Sequence, residues 1–370
     1  MFRLNFKPYY PILHVTNEIG RYVIGGMGTY INELYRYRES DMGFVHMNDL
    51  GGKIDLDLLA YPGQTDILSL ECGECGRLGE VDFGILVIHF YELAFCASEE
   101  ILRGRKLVYV IHSVPLPEPP PKQDPFGGYL DIQEKFEFLC TRADLLICVS
   151  EAEKERLCGL YPALRGKTAV VHNGMTFPIG GSKFWKEKEE RKVFGYLGRM
   201  DYRKGIMECF RAFRKTDAQL YLACPRNDPY YLESLLLYRE AAGMEERISF
   251  LGWCEGERKE AFLGFVDALV VPSLYEPFGY VVLEAAARGV PVLAGSRGGM
   301  AEILGDYRYQ FDPCSEAGLY DILCTFRTDS TEVVGQEMER LRERLTYFRA
   351  ETMMMRYRTL YQRLLTEREA

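Results

Sequence analysis

Short apolar runs alternate with longer amphipathic segments along this whole sequence. In the first half the runs fall at residues 12–16, 44–47, 66–70, 84–90, 107–111, 144–149 and 167–171. Most are apolar on both faces, which predicts strands buried in a parallel sheet rather than half-exposed hairpins. Between them, segments with apolar residues every three or four positions predict helices near 29–38, 129–141 and 151–160. Ser150 is placed to cap the last of these, with Glu153 three residues on completing a capping box. The second half repeats the alternation, with strands at 193–197, 219–223, 248–251, 268–271 and 290–293 and helices at 205–215 and just before Gly289. Strands alternating with helices in both halves predict two doubly wound parallel sheets.

A chain of 370 residues also favours two domains. The boundary falls in the polar, glycine-containing and charged stretch 178–191, PIGGSKFWKEKEER. That predicts a first domain at 1–177, a second at 192–345 and a terminal helical segment at 346–370. Helix is expected from about residue 330 onward. Its apolar positions, among them Leu341, Leu345, Phe348, Met355, Tyr361 and Leu364, keep no steady heptad, so it should pack on the protein's own body.

Composition narrows the function classes. With 47% hydrophobic and 27% charged residues and a net charge of −9, the balance is that of an ordinary soluble protein. Before Gly174 there are 17 basic against 24 acidic residues, and 28 against 30 from there on. Neither half has the basic excess of a nucleic-acid binder, so no nucleic-acid partner is expected. No apolar run approaches the roughly 20 residues that span a bilayer. Lys7, Pro8 and Pro11 make the N-terminus a poor signal peptide. Eleven cysteines, an odd number scattered through apolar segments, read as reduced thiols. These features point to a cytoplasmic protein; the small cluster Arg103, Arg105 and Lys106 leaves peripheral contact with the inner membrane face open. Cys72 and Cys75 have the spacing of half a zinc knuckle, but no second pair follows and a surface turn is expected.

Candidate chemistry concentrates in residues 272–302, PSLYEPFGYVVLEAAARGVPVLAGSRGGMAE. Glu276 precedes a short helix and Glu284 lies within it, about 12 Å of helical rise away. That is too far to act on one atom and suited to gripping two parts of one extended ligand. Glu284 sits in VVLEAAA, where a carboxylate needs a partner. The vicinal hydroxyls of a ribose would serve, since one carboxylate accepts with both oxygens; Arg288 at i+4 is the plainer reading. Arg199 and Lys204 lie in GRMDYRKGI between a strand and a helix. A guanidinium fork and a lysine beside a helix N-terminus suit a pyrophosphate, although Arg203 beside them also fits a solvated basic turn. Gly25, Gly26 and Gly28 join the first strand to a helix, an arrangement that offers N–H groups to an anion. His89 and His112 end strands at the carboxyl edge, where open α/β sheets bind ligands; a core histidine is the plainer reading of His112. The proline-rich stretch from Pro115 to Gly128 predicts a long loop.

Together the glycine loop with Gly25, Gly26 and Gly28, His112, the segment from Gly198-Arg199 to Lys204-Gly205, EPFGYVVLE, PVLAGSRGG and the final helix resemble the retaining glycosyltransferases of family four. The resemblance covers nearly the whole chain and is specific in its combination of motifs. It implies the GT-B fold: α/β, two Rossmann-like doubly wound domains facing across a cleft, with the C-terminal helix crossing back to the first. It further implies Arg199 and Lys204 on the donor diphosphate, Glu276 near the donor sugar hydroxyls and His112 near the transferred sugar, these four forming the catalytic set. Glu284 on the ribose, Phe278 and Gly279 beside sugar and phosphate, and Gly25, Gly26 and Gly28 approaching the diphosphate from the first domain would bind donor. The lysine that starch and glycogen synthases carry before the paired glycines is absent, since Val23 and Ile24 stand there. Asp55-Leu56-Asp57 imitates the metal-binding motif of the GT-A fold but lies on no convincing strand. Neither metal nor cofactor is expected.

The implied reaction is retaining, metal-independent transfer of a hexose from a nucleoside diphosphate sugar to an acceptor hydroxyl, in cell-surface glycan or glycoconjugate assembly. The acceptor would be a glycan, a lipid-linked sugar or a peptide, met around His89, Tyr91 and the proline-rich loop. Two rivals stand beside it. A nucleotide-sugar 2-epimerase of the same fold would need no acceptor, and a non-catalytic donor-binding subunit would turn nothing over.

Overall fold

The computed structural model describes residues 9–19, 25–48, 67–115, 128–177, 192–225, 228–315 and 317–366. The expected linker at 178–191, the Asp55–Asp57 segment, Val23, Ile24 and residues 116–127 of the proline-rich stretch lie outside them. The chain forms two compact units, 1–176 with 348–370, and 177–347.

The first unit is built on seven strands: β1 (Tyr9–Thr16), β2 (Met42–Asn48), β3 (Ile67–Glu71), β4 (Asp82–Ile88), β5 (Lys106–Ile111), β6 (Leu145–Cys148) and β7 (Thr168–Val170). They lie side by side in the order β3-β2-β1-β4-β5-β6-β7, all parallel. β2 is buried along its whole length and β4 at all but its first residue, the reason they read as continuous apolar runs. Its helices include α1 (Gly26–Arg36), α2 (Glu99–Leu102), α3 (Gly128–Arg142) and α4 (Glu151–Leu160). The Ser150 hydroxyl accepts from the Glu153 N–H at 3.2 Å, and the Glu153 carboxylate accepts from the Val114 N–H at 2.6 Å, tying α4 to the end of β5. Cys72 and Cys75 lie in a 3-10 stretch, Cys72–Glu80, and all eleven cysteines are free thiols. Among the described residues no group of three or more His, Cys, Asp or Glu side chains could hold a metal ion.

The second unit has six parallel strands: β8 (Val193–Leu197), β9 (Gln219–Ala223), β10 (Ile248–Phe250), β11 (Ala268–Val271), β12 (Val292–Gly295) and β13 (Gln310–Phe311). Their order is β10-β9-β8-β11-β12-β13. The connecting helices are α5 (Ile206–Phe213), α6 (Pro229–Ala241), α7 (Gly256–Phe265), α8 (Tyr280–Ala287), α9 (Gly299–Leu304), α10 (Gly318–Thr328) and α11 (Thr331–Arg344). β12 begins two residues later than the apolar run predicts. Gly289, at φ +71°, and Val290 donate back to Ala286 and Ala285 at 3.0 and 2.9 Å, finishing α8 before the strand can start.

The helix expected to run from about 330 to the end is broken by a 3-10 turn, Leu345–Phe348, before α12 (Ala350–Thr366). α12 belongs to the first unit. Met175 N–H donates to Phe348 O at 2.9 Å and Ala350 N–H to Met175 O at 3.2 Å. A Cβ on Gly174 would stand 2.6 Å from Arg349 O, so only glycine lets these backbones meet. Met353, Met354, Tyr357, Tyr361 and Leu364 of α12 are buried, so this helix packs on the protein's own body.

Candidate active site

In each sheet the strand order reverses direction beside the first strand, and open α/β sheets bind ligands at the carboxyl ends of the strands flanking that point. In the second unit these strands are β8 and β11. The loop leaving β8 carries Arg199, then a 3-10 turn, Tyr202–Lys204, closed by Gly205 at φ +68°. The loop leaving β11 runs from Pro272 to Gly279. Arg203 O accepts from the Leu274 N–H at 2.9 Å, and a Cβ on Gly205 would lie only 2.1 Å from Pro272 O. The two loops are therefore latched backbone to backbone.

This latch brings Lys204 and Glu276 together as an ion pair, their side chains only 22% and 17% exposed. Arg199 is exposed, and its guanidinium meets no carboxylate at ion-pair distance among the described residues. Its main-chain oxygen is fixed by the buried Tyr196 hydroxyl at 2.7 Å. The paired glycines after β12 complete the wall. Gly298 bridges Glu276, Gly299 N–H donates to Glu276 O at 2.8 Å, and a Cβ on Gly298 would lie 2.3 Å from that oxygen. Gly279, at φ +112°, caps α8 against Met300, and Phe278 is buried with its ring edge-on to Tyr280 at 5.3 Å. Lys204, Glu276, Phe278 and Gly279 thus share one wall with Arg199 at its rim.

Glu284 lies further along α8, and its partner is not Arg288. Arg288 grips both oxygens of Glu260 at 2.6–2.9 Å and donates to the Glu284 main-chain oxygen at 2.9 Å. That pairing holds the Glu260 carboxyl below its ordinary range and the guanidinium above its own. Glu284 instead meets Lys259 Nζ at 3.0 Å. The i+4 reading fails because a two-toothed fit to Glu260, with a carbonyl satisfied as well, outcompetes a one-point contact.

In the first unit the glycine loop is already occupied. Glu18 Oε2 accepts from the Gly28 N–H at 2.9 Å and the Gly25 N–H at 3.3 Å, capping the helix that Gly26 begins. The sequence suggested N–H groups open to an outside anion; a buried carboxylate sits there instead. His89 is likewise turned inward. It is 1% exposed, and its Nε2 lies 2.9 Å from His14 Nδ1, one ring donating and the other accepting. His14 stacks on Phe44 at 4.7 Å, and burial pushes its pKa down to about 3. Burial and the neighbouring His14 and His112 push His89 down too. His112 is half-buried, with Tyr30 edge-on at 4.8 Å, and burial likewise lowers its pKa. Three neutral imidazoles therefore gather on β1 and just beyond the ends of β4 and β5.

Glu18, His14 and Lys259 were not singled out from the sequence. A carboxylate ahead of a glycine-opened helix, and histidines near the carboxyl ends of neighbouring strands, were the available signals for the first two. Lys259 had none, because its partner is 25 positions away on another helix.

Two family patterns match the chain. Glycosyltransferase Family 4 matches residues 76–176, and Glycosyl transferases group 1 matches residues 182–342, the part that holds Arg199, Lys204, Glu276 and Glu284. The chain belongs to the group 1 glycosyltransferases. An uncharacterized glycosyltransferase of Methanocaldococcus jannaschii is 34% identical over 176 residues, 43% of this chain and 44% of the relative. The N-acetyl-alpha-D-glucosaminyl L-malate synthase of Bacillus anthracis is 28% identical over 83% of this chain and 81% of its own. Matches to the first few curated relatives span less than half of their lengths. Among solved structures, sucrose-phosphate synthase from Thermosynechococcus elongatus superposes with a TM-score of 0.76 at 17% identity, over 97% of this chain and all of that one. The fold of this group 1 member is thus GT-B, with two parallel-sheet α/β domains. No described helix is long and apolar enough to cross a membrane.

Proposed function

We propose that this protein is a retaining, metal-independent glycosyltransferase that moves a hexose from a nucleoside diphosphate sugar to an acceptor hydroxyl. The observation that carries the reading is the β8–β11 latch, which sets Lys204 and Glu276 side by side with the exposed Arg199 at their rim. Departure of the diphosphate leaves an oxocarbenium-like sugar, so the demand on the site is to stabilise charge building on the leaving oxygens. Arg199 and Lys204 supply two cations for that, and the diphosphate would take Lys204 in exchange for Glu276. Glu276, released from its lysine, would then accept from hydroxyls of the donor sugar.

Retention rests on the family likeness, with same-face attack assisted by the leaving phosphate. His112, neutral and half-buried, would sit near the transferred sugar as a hydrogen-bonding group rather than as a base. The named relatives suggest small hydroxylated acceptors: one makes an L-malate glycoside, the other a sugar phosphate. Such an acceptor stands beside a lipid-linked glycan or a peptide as a candidate, and a place in cell-surface glycan assembly belongs to the same proposal.

The test is a thermal-shift screen of the whole chain against UDP-, GDP-, ADP- and TDP-sugars, because a ligand that binds only the folded state raises its melting point. Transfer is then assayed with the donor that binds. Arg199→Ala is expected to lower kcat/KM by about tenfold to somewhat over a hundredfold, the loss of one charge-assisted contact worth roughly 1.5–3 kcal/mol. Undiminished transfer in that variant would sink the assignment. A sugar product formed without any acceptor would point instead to the epimerase reading.

A further inference from the structure

Helices α7 and α8 carry a charge pattern that the reading above leaves unused. Lys259 and Glu260 are consecutive on α7, while Glu284 lies on α8 and Arg288, four residues on, caps its C-terminus. The four pair by sign across the two helices: Lys259 Nζ to Glu284 Oε1 at 3.0 Å, and the Arg288 fork to Glu260 at 2.6–2.9 Å. The Lys259 and Glu284 side chains are 25% and 18% exposed, close to the surface yet well covered. Among the described residues Lys259 is the only cation that reaches the Glu284 carboxylate, and Glu284 Oε2 takes no hydrogen bond from any of them.

An ammonium and a guanidinium would leave this carboxylate in different states. A lysine is a point charge that holds one oxygen and leaves the other's lone pairs turned outward. An arginine fork covers both oxygens at once. Arg288 is the local residue able to do that, and Glu260 draws it away. The pairing therefore leaves Glu284 tethered at Oε1 and, among the described residues, open at Oε2.

We infer that Lys259 is a positioning residue for the donor, acting through Glu284: it fixes the carboxylate so that Oε2 accepts from the vicinal hydroxyls of the donor's ribose. This rests on the donor reading proposed above. It makes the site selective for a nucleoside diphosphate with both ribose hydroxyls over its 2′-deoxy counterpart. Lys259 touches neither the sugar nor the phosphates, so its loss should act on donor affinity and leave kcat nearly unchanged.

The experiment is calorimetric titration of the whole chain with UDP, GDP and ADP and with dUDP, dGDP and dADP. The wild type is expected to bind one ribonucleotide about tenfold or more tightly than its deoxy partner, the loss of a hydrogen bond to a charged acceptor. Lys259→Met should weaken the ribonucleotide and bring the ribo-to-deoxy ratio toward one, and Lys259→Arg, whose fork would cover both carboxylate oxygens, should not restore it. Glu260→Gln is an independent arm that keeps the lysine. It releases Arg288 toward Glu284 and should also compress the ratio. A folded Lys259→Met protein that weakens both nucleotides equally, or changes neither, overturns the role of Lys259 while leaving the donor reading intact. A compressed ratio in Glu260→Gln supports the inference even where Lys259→Met is poorly folded, and an unchanged ratio there counts against it. Binding of none of the six nucleotides by the wild type overturns the donor reading, and this inference with it.

Discussion

The Glu18 carboxylate occupies the position at the start of α1 that an external anion would take. It accepts from both Gly25 and Gly28, and its side chain is buried. If the loop receives the donor diphosphate, as its likeness to the family implies, Glu18 must give up those N–H groups or share them. Glu18→Gln keeps a carbonyl oxygen at the cap and removes the charge. A carboxylate at a helix N-terminus contributes about 0.3–1 kcal/mol, rising toward 2 when partly buried. The variant should therefore lose about 1 kcal/mol of stability in a urea titration. It should also bind the nucleoside diphosphate several-fold more tightly, because a buried negative charge no longer competes with the phosphates. Weaker binding in Glu18→Gln would mean that the carboxylate shapes the loop for the ligand rather than competing with it.

At the scale of elements, the functional wall depends on how closely the β8 and β11 loops approach, and glycine sets that distance. An alanine at Gly205 would force a residue with a side chain into the left-handed region, costing about 1–2 kcal/mol, and drive its Cβ to within 2.1 Å of Pro272 O. Gly243 supplies the control, with φ +62° and open space where its Cβ would be. Gly243→Ala should cost only the conformational part, about 1 kcal/mol. Gly205→Ala should cost about 1–3 kcal/mol more, because overpacking against backbone adds that much, and should also weaken nucleotide binding by pushing the loop that carries Lys204 away from the β11 loop. Chemical denaturation and titration of both variants check this; equal losses would show that the latch does not matter. Elements of this kind were readable to different degrees. The strands were legible because burial on both faces leaves a continuous apolar run, as in β2 and β4. α6 and α7 were not, since Leu236 and Leu237 of α6 are exposed and few residues of either helix face the core. The positions of Glu276 and Glu284 could be read from their motif. Lys204 was legible from its own motif, but the ion pairs were not: Lys204 is 72 residues from Glu276 and Lys259 is 25 from Glu284, and such pairings are made by the fold.

Across the whole molecule, the five histidines fall at positions 14, 46, 89, 112 and 172, all in the first unit. Histidine is the side chain whose ordinary pKa puts its charge change between pH 5 and 8, so mild acid should act on one unit and spare the other. The sign follows from burial. His14 and His89 are held neutral in the fold, His14 down to about 3, whereas in the unfolded chain each takes a proton near pH 6.5. The unfolded state therefore binds more protons below that value, and stability rises with pH. This stabilisation is complete above about pH 6.5 and is lost progressively toward pH 3, at about 1.4 kcal/mol per pH unit for each such histidine. The Glu260 carboxyl of the second unit, whose pKa lies below its ordinary value of 4.5, contributes stability that is lost only as the pH falls through that lower range. Between pH 7 and 5 the histidine effect consequently comes before that of Glu260. Hydrogen exchange on the whole chain, corrected for intrinsic rates, should show protection falling in β1, β4 and β5 while β8 and β11 hold theirs. His14→Phe removes one imidazole of the His14–His89 pair and keeps the stack on Phe44. It should lower stability at pH 7, where the bond to His89 is lost, and flatten the decline toward pH 5. Equal loss of protection in both sheets, or an unflattened profile in His14→Phe, would place the acid sensitivity elsewhere in the chain.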